Sequence, residues 1–316
     1  MKVAVTGARG RVGAYVVYDL LAHGYEVKAV SRTPWDKAPE GVEQVTGIDL
    51  TDFEAVKREF AGCDAVIHVA NVPAAWYSDT PYTFTNNMNA NYNVMLACGL
   101  LGINRLVITS SVCAMGHVYG REKFPGFDAF PITEEDNIYP CDPYGISKKF
   151  TEELGECMCR RFPGMHIALL RISATYFPEW YREIVTDPQL KSVNTYMRED
   201  YPFRHNLGTY TDARDSARAH VLAMENTPLG SNVYYICAPD TFSCRPTADC
   251  LAMYPKVPLR RPIGKYEALE SSRKAMEVLG WKPRYFFWPE LALCAKEAGV
   301  TLDIPQERLT AHEDYL

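Results

Sequence analysis

The chain has 316 residues, 47% of them hydrophobic, and a formal net charge of −6 at pH 7. This length and composition predict a globular protein with a substantial core, folded as one large domain or two smaller ones. The acidic balance argues against nucleic acid as the main partner. The first residues, MKVAVTGARG, are too brief and polar for a signal peptide, and no later run approaches the ~18 apolar residues of a membrane span. We expect a cytoplasmic protein without a membrane partner.

Short apolar runs alternate with helical patterns along the chain. KVAVTG and YEVKAVSR predict two strands that frame a helix running from Val12 to Ala22 and ending near Gly24. Further strands are predicted at 44–48, 65–70, 105–110, 166–171 and 233–236, and further helices near 52–60, 85–101, 143–161 and 212–226. Such alternation predicts an α/β fold with a doubly wound parallel sheet and ligands at the carboxyl ends of its strands.

The segment TGARGRVG follows the first predicted strand and opens the first helix. It contains Gly7, Gly10 and Gly13, with Arg11 and Val12 between the last two glycines. Glycine in such a turn lets the backbone approach a pyrophosphate, while the helix N-terminus supplies unpaired N–H groups and a favourable dipole. These five residues are predicted to bind a dinucleotide.

The second strand ends at Ser31 and Arg32, where an NAD-binding chain would carry an acidic residue for the ribose hydroxyls. The Arg32 guanidinium can instead pair with the 2′-phosphate of NADP. We therefore expect NADP as the cofactor, with NAD as the alternative.

The stretch PYGISKK places Tyr144 and Lys148 four residues apart at the start of a predicted helix. That spacing puts both side chains on one helix face, where the ammonium could favour the ionised phenol. This pair predicts acid–base chemistry.

Several pieces of the chain occur in the order found in one family. They are TGARGRVG, GIDLTD, IHVAN, NMNANYNVMLAC, VITSSVCAMG, YGISK, YTDARDSARAHVLAM and LGWKPRYFFWPE. The chain resembles an extended short-chain dehydrogenase/reductase of the NAD-dependent epimerase/dehydratase group. The resemblance implies a Rossmann-like fold with a small C-terminal lobe, and a homodimer formed through helices 85–101 and 143–161. We expect 1–171 with 210–237 to bind the dinucleotide, and 172–209 with 238–316 to form the substrate lobe.

The resemblance also assigns roles to individual residues. Ser111, Tyr144 and Lys148 would form a catalytic triad, and the Asn87 amide would help to order the active site. Four further residues would contact the cofactor: Asp49, Leu50, Val69 and Ala70. Tyr144 and Lys148 would contact it as well, with Lys148 reaching the nicotinamide ribose.

The expected reaction moves a hydride between a nicotinamide and the carbon of a secondary alcohol or ketone. Tyr144 would exchange the proton on the oxygen, with its usual pKa of ~10 lowered by Lys148 and by the oxidised cofactor. Ser111 would hold the same oxygen. The substrate would be a sugar, sugar acid or polyol; the alternatives are an epimerase acting through a transient ketone and a non-catalytic cofactor sensor.

The substrate contacts are predicted from local features. Ser111 is followed by Val112 and Cys113, not by the Asp-Glu pair of nucleotide-sugar dehydratases, and only 38 residues separate Arg171 from Tyr210, which suggests a small substrate. Local similarity to uronate dehydrogenases makes Arg182 a candidate for binding a carboxylate. The predicted substrate contacts are Ser111, Val112, Trp76 and Arg182. Trp76, like Tyr77, Trp180 and Tyr181, could stack on a sugar or pack the hinge between lobes.

The ten cysteines are scattered without a CxxC pair, so we expect free thiols, a reducing compartment and no metal site. His68 and His220 lie on apolar faces and are expected to pack or to form hydrogen bonds.

Overall fold

A parallel sheet organises the computed structural model, which describes residues 1–73, 80–119, 121–187 and 206–316. The strands are β1 (Lys2–Thr6), β2 (Glu26–Val30), β3 (Glu43–Val45), β4 (Ala65–His68), β5 (Arg105–Ser111), β6 (His166–Ile172), β7 (Thr175–Tyr176), β8 (Thr211–Asp212) and β9 (Gly230–Ile236). Within the described residues, seven of them form one sheet in the order β3-β2-β1-β4-β5-β6-β9, and β7 pairs with β8. Every pairing is parallel, so the carboxyl ends of the seven strands share one edge.

Helices cover both faces of this sheet. They are α1 (Arg11–Ala22), α2 (Phe53–Phe60), α3 (Thr80–Leu101), α4 (Pro143–Arg161), α5 (Pro178–Thr186), α6 (Ala213–Asn226), α7 (Thr247–Leu251) and α8 (Phe287–Glu297). The predicted doubly wound α/β fold is confirmed. No helix in the described ranges is both long enough and apolar enough to span a membrane.

The three largest differences from the sequence prediction concern the bounds of β3, α3 and β9. The strand predicted at 44–48 ends at Val45, just before Gly47, whose φ of +78° turns the chain out of the sheet. Helix α3 begins at Thr80, five residues earlier than predicted. Strand β9 begins at Gly230 because its first half is only partly buried, and an apolar pattern identifies only its second half.

Side chains that alternate along each central strand pack into two apolar layers, one on each face of the sheet. In β1, Val3 and Val5 pack with α1 and α6, while Ala4 faces α2 and α3 on the opposite side. Both layers are fully buried, which is why the strand sequences are continuously apolar rather than alternating.

Two further apolar clusters lie outside these two layers. One contains Val112, Phe130, Leu207 and Tyr235, and lies beside the carboxyl ends of β5 and β9. The other joins α5 to α8 through aromatic and aliphatic side chains, including Tyr181, Phe287, Trp288 and Leu291.

A buried ion pair ties α4 to β6. The Arg171 guanidinium donates to both carboxylate oxygens of Glu152, at 3.0 and 2.7 Å, and Ser110 Oγ donates to Glu152 at 2.7 Å. Arg171 also donates to the Tyr235 hydroxyl at 3.2 Å. Both charged side chains are almost fully buried, so each depends on the other for compensation.

Replacing Glu152 with alanine should lower the free energy of unfolding by about 3–5 kcal/mol, because Arg171 would stay buried without its counter-ion. Urea denaturation measures this change. Glu156→Ala is the control on the same helix, since the Glu156 and Arg160 side chains are 67% and 69% exposed. It should change the free energy of unfolding by less than about 0.5 kcal/mol. A cost below about 1 kcal/mol for Glu152→Ala would contradict the assignment of this pair as structural.

Candidate functional site

The glycine-rich turn between β1 and α1 has no room for side chains. A Cβ on Gly7 would lie 2.8 Å from the backbone nitrogen of Ala70, and a Cβ on Gly13 would lie 2.2 Å from the Gly7 oxygen. The φ of Gly7 is +66°, a value that glycine adopts without strain. Helix α1 begins after Gly10 without a side-chain cap or an acidic residue in its first turn. The first turn of α1 therefore suits a pyrophosphate, and these residues fit a dinucleotide.

The other predicted cofactor residues lie on the same edge of the sheet. Val69 and Ala70 follow β4, and their backbone nitrogens donate to Thr6 O at 3.3 Å and Thr6 Oγ1 at 3.4 Å. Asp49 accepts from the backbone and side chain of Thr51, and Leu50 O accepts from Asn93. The structure therefore brings together the residues that follow β1, β3 and β4.

Two arginines stand at the end of β2. Arg32 is exposed. Hydrogen bonds from Thr51, with a smaller contribution from the Arg32 charge, hold the pKa of Asp49 below its usual value. The Arg9 side chain donates to Thr33 Oγ1, which places a second guanidinium beside the residue after Arg32. The sequence analysis missed Arg9, although its place inside TGARGRVG was the available signal.

Helix α5 reaches over the glycine-rich turn. The Arg11 guanidinium stacks on Trp180, 4.9 Å from the ring centroid, and Tyr15 donates to the Glu179 carboxylate at 3.0 Å. Trp180 of α5 thus packs against α1. Its predicted roles, stacking on a sugar or packing at the hinge between lobes, stay predictions. Trp76 and Tyr77 lie outside the described residues.

Ser111, Tyr144 and Lys148 come from two elements in direct contact. Ser111 is the last residue of β5, and Tyr144 and Lys148 lie in the first two turns of α4. The Asp142 side chain caps α4 by accepting from the backbone N–H groups of Tyr144 and Gly145, at 3.0 and 2.8 Å. This cap fixes the start of the helix and with it the position of the phenol.

Gly145 permits the close approach of α4 to the turn after Ser111. A Cβ at this position would lie 2.6 Å from the backbone oxygen of Cys113. The Ser111 hydroxyl accepts from Cys113 N at 3.1 Å, so the Ser111 proton is free to be donated elsewhere. A hydrogen bond from Ser111 acts on the Tyr144 phenol and favours its ionised form.

Burial dominates the electrostatics of the two titratable groups. It raises the pKa of Tyr144 well above its usual value, against the opposing hydrogen bond from Ser111. It also lowers the pKa of Lys148 to about 8. The Lys148 ammonium donates to Thr109 O at 2.8 Å and lies 5.3 Å from the Tyr144 ring centroid. Burial therefore outweighs the neighbouring groups that act on the pKa of Tyr144. The lowering of this pKa by Lys148 together with the oxidised cofactor stays a prediction.

Asn87 holds the segment that leaves β4. Its side-chain oxygen accepts from Val72 N at 2.8 Å, and its nitrogen donates to Val72 O at 3.1 Å. One turn further along α3, Asn91 hydrogen-bonds His68 and Thr151, at 2.8 and 2.6 Å. Asn87 therefore fixes backbone beside the site.

The two buried histidines have hydrogen-bonding partners. His68 lies between Thr6 Oγ1 and Asn91 Oδ1, and His220 between Thr109 Oγ1 and Ser216 O. Burial lowers the pKa of each to about 4, so both rings are neutral.

Val112 and Arg182, two further predicted substrate residues, differ in solvent exposure. Val112 is 3% exposed and packs in the apolar cluster with Leu207 and Tyr235. The Arg182 side chain is 72% exposed, and its guanidinium lies 4.0 Å from the Glu297 carboxylate on α8. These positions give Arg182 a surface ion pair and Val112 a packing contact.

Tyr119 is a residue that the sequence analysis did not identify. Its ring packs edge-on against Tyr144, with 6.2 Å between centroids. It also hydrogen-bonds Cys113, while burial raises the pKa of that thiol to about 12. No motif in the sequence marks Tyr119, because its position depends on how the chain folds after β5.

Comparison with known proteins identifies the family. The model of the NAD dependent epimerase/dehydratase family matches residues 3–237. The chain is 31% identical over 208 residues to L-arabinose 1-dehydrogenase (NAD(P)(+)) of Haloferax volcanii, covering 62% of this chain and 75% of that protein. It is 26% identical over 317 residues to UDP-glucose 4-epimerase of Lacticaseibacillus casei, covering 90% of this chain and 92% of that protein.

A solved structure supports the fold. A short-chain dehydrogenase/reductase superfamily protein from Agrobacterium tumefaciens, with bound NAD, superposes with a TM-score of 0.69 at 21% identity, covering 99% of this chain and 100% of that one. Together with the family match and the geometry of the glycine-rich turn, these findings establish that the chain belongs to the NAD dependent epimerase/dehydratase family and is an NAD(P)-dependent enzyme.

Proposed function

We propose that the protein interconverts a secondary alcohol and a ketone on a sugar, sugar acid or polyol by hydride transfer, with Ser111, Tyr144 and Lys148 as its catalytic residues. The observation that carries this proposal is the contact of the buried start of α4 with the end of β5, where the Asp142 cap and the close approach of Gly145 bring Tyr144 against the turn after Ser111. The similarity to a sugar dehydrogenase and a sugar epimerase supports a sugar-like scaffold.

Tyr144, Ser111 and Lys148 each have a separate chemical role in this proposal. The nicotinamide, when bound, supplies or accepts the hydride. The neutral Tyr144 donates its proton to the forming alkoxide during reduction and recovers one during oxidation. Ser111 donates to the same oxygen and fixes its position. Lys148 places a positive charge beneath the phenol ring, which stabilises the phenolate left after proton donation.

Epimerisation through a transient ketone is the second candidate function. The alignment with UDP-glucose 4-epimerase, which extends over 90% of this chain, favours it. The same three residues would serve both reactions, so net consumption of cofactor separates them.

Tyr144→Phe should lower the rate of hydride transfer by a factor of ~10²–10⁴, because the proton donor is removed. Binding of the cofactor should change less than about threefold, since the phenol acts on the substrate oxygen. The assay follows the absorbance of reduced nicotinamide with a panel of aldoses, polyols and ketoses. Tyr18→Phe, an exposed tyrosine on α1, is the matched control and should keep full activity. Sugar interconversion without net cofactor reduction would identify the epimerase, and a Tyr144→Phe variant within tenfold of the natural protein would contradict both functions.

The pH profile gives this prediction a second readout. A lysine with a lowered pKa of about 8 is charged below that pH and neutral above it. For the reduction reaction, kcat/KM should therefore fall as the pH rises through about 8. A profile that stays flat to pH ~10, the usual range of lysine, would show that the charge of Lys148 is not used in this way.

We propose NADP as the preferred cofactor. Arg32 is exposed at the end of β2, and the Arg9 contact with Thr33 brings a second positive charge to the same place. Two guanidiniums suit a 2′-phosphate, which one of them can bind with two parallel hydrogen bonds.

Arg32→Ala and Arg9→Ala should each weaken NADP binding about 10- to 100-fold, the usual range for a hydrogen bond between charged groups. NAD binding should stay within about threefold, because NAD lacks the 2′-phosphate. Calorimetric titration of both cofactors measures the difference, with Arg58→Ala on α2 as the control for a lost surface charge. Tighter binding of NAD than of NADP by the natural protein would refute the preference.

We also propose a homodimer that pairs α3 and α4 of two copies, in which residues 172–209 and 238–316 act as the substrate lobe. Helices α3 and α4 pack together and expose large side chains: Tyr82, Tyr92, Leu100 and Phe150. A patch of this kind is typical of an interface. None of the ten cysteines forms a disulfide, which supports a reducing, cytoplasmic location.

Phe150→Glu should convert the dimer to a monomer, because it would bury a charge opposite an apolar surface. Light scattering coupled to gel filtration gives the mass of each form. Leu293→Glu, on the exposed face of α8, should leave the mass unchanged. A natural protein that is monomeric at micromolar concentration would contradict the interface.

A further inference from the structure

Three strands end in register at the edge of the sheet that carries Ser111. Ser111 pairs with Ile172 of β6, and Ile172 pairs with Ile236 of β9. The next residues along β6 and β9 are Ser173 and Cys237, which therefore lie one residue beyond this line. Neighbouring strands are ~4.8 Å apart, so both residues lie within ~10 Å of the Ser111 position.

The Glu270 carboxyl group is buried beside these two residues. Cys237 Sγ donates to the Glu270 backbone oxygen at 3.2 Å, and Thr209 Oγ1 lies 2.8 Å from both Glu270 Oε2 and Ser173 Oγ. Glu270 is 2% exposed, and its other oxygen, Oε1, has no hydrogen-bonding partner among the residues that the structure describes. A buried polar atom without a partner is costly, which points to a partner supplied from outside the chain.

The hydrogen bonds of the Thr209 hydroxyl indicate whether the Glu270 carboxyl group is protonated. The Thr209 hydroxyl has one proton, yet it lies close to the Asn206 backbone oxygen, at 2.9 Å, as well as to Glu270 Oε2. A carbonyl and an ionised carboxylate both only accept, so one proton cannot satisfy both. A protonated Glu270 resolves the conflict by donating to Thr209, and burial raises the pKa of Glu270 to about 8, in agreement. Oε1 is then the carbonyl oxygen of a neutral acid.

We propose that Glu270 Oε1 accepts a hydrogen bond from a hydroxyl group of the bound substrate, so that the carboxyl ends of β6 and β9 form a hydroxyl-binding subsite. The inference rests on the proposed function, because it takes the reacting oxygen to be held by Ser111 and Tyr144. It narrows the substrate to a neutral sugar or polyol with a second hydroxyl near the reacting carbon. A substrate carboxylate would find no donor at Oε1, since the single Glu270 proton is directed at Thr209.

The test combines variants with deoxy sugars. Glu270→Leu, Glu270→Gln and the natural protein are each loaded with NADP. Each is then titrated with D-galactose, L-arabinose and xylitol and with the monodeoxy analogues of these compounds. Glu270→Leu should weaken binding of one parent polyol roughly tenfold, the cost of a buried hydroxyl left without its partner. The deoxy analogue that lacks the hydroxyl bound by Glu270 should bind the natural protein about as weakly as the parent compound binds Glu270→Leu. For this analogue, Glu270→Leu should cause no further loss of affinity. Glu270→Gln should recover most of the affinity, because its amide donates to Thr209 and still presents a carbonyl oxygen.

Controls separate this inference from the proposed function. Glu135→Gln, an exposed glutamate in the loop before α4, should bind the polyols like the natural protein. Melting temperatures check that each variant folds, and Glu270→Asp replaces the leucine variant if that one does not. Unchanged polyol binding by the leucine variant, or no binding of any polyol by the NADP-loaded natural protein, would overturn the subsite. Polyol binding without hydride transfer would refute the proposed function alone.

Discussion

The contact between the start of α4 and the turn after β5 determines the geometry of the whole site. The Asp142 cap sets where α4 begins, and Gly145 lets the helix lie against the backbone of Cys113. Together they bring a helix face and a strand end within hydrogen-bonding reach, although 32 positions separate Ser111 from Tyr144 along the chain. Every proposed step at the substrate oxygen depends on this contact, because a small displacement of the phenol would separate it from the serine hydroxyl.

Buried polar networks hold the elements on either side of that contact. Glu152 and Arg171 join α4 to β6, and Asn91 joins α3 to β4 and α4. Such networks contribute specificity of position as much as stability, since each polar group is satisfied in only one arrangement. The site is thus mounted on rigid elements, which suits a reaction that requires two hydrogen bonds to one oxygen.

The sequence predicted the fold well because the signals that define it are local. Apolar runs identified the central strands, and glycine spacing with PYGISKK marked the turn and the helix start on which the proposed site is built. Contacts between distant segments left no such signal. Nothing in the sequence links Glu270 to Ser173, or Tyr119 to Tyr144, because these pairs meet only through the connections after β5 and β9. The upward shift of the Tyr144 pKa was also unpredictable, since burial is a property of the folded chain.

The stacking of Arg11 on Trp180 has a consequence for how the cofactor and the substrate bind. The Arg11 side chain joins the turn that suits a pyrophosphate to α5, which belongs to the proposed substrate lobe. A dinucleotide that engages this turn changes the surroundings of Arg11, and therefore changes how firmly α5 is held. By reciprocity, a substrate that fixes α5 changes the affinity for the dinucleotide by the same factor. Binding of the cofactor and binding of the substrate are therefore energetically coupled through this shared side chain.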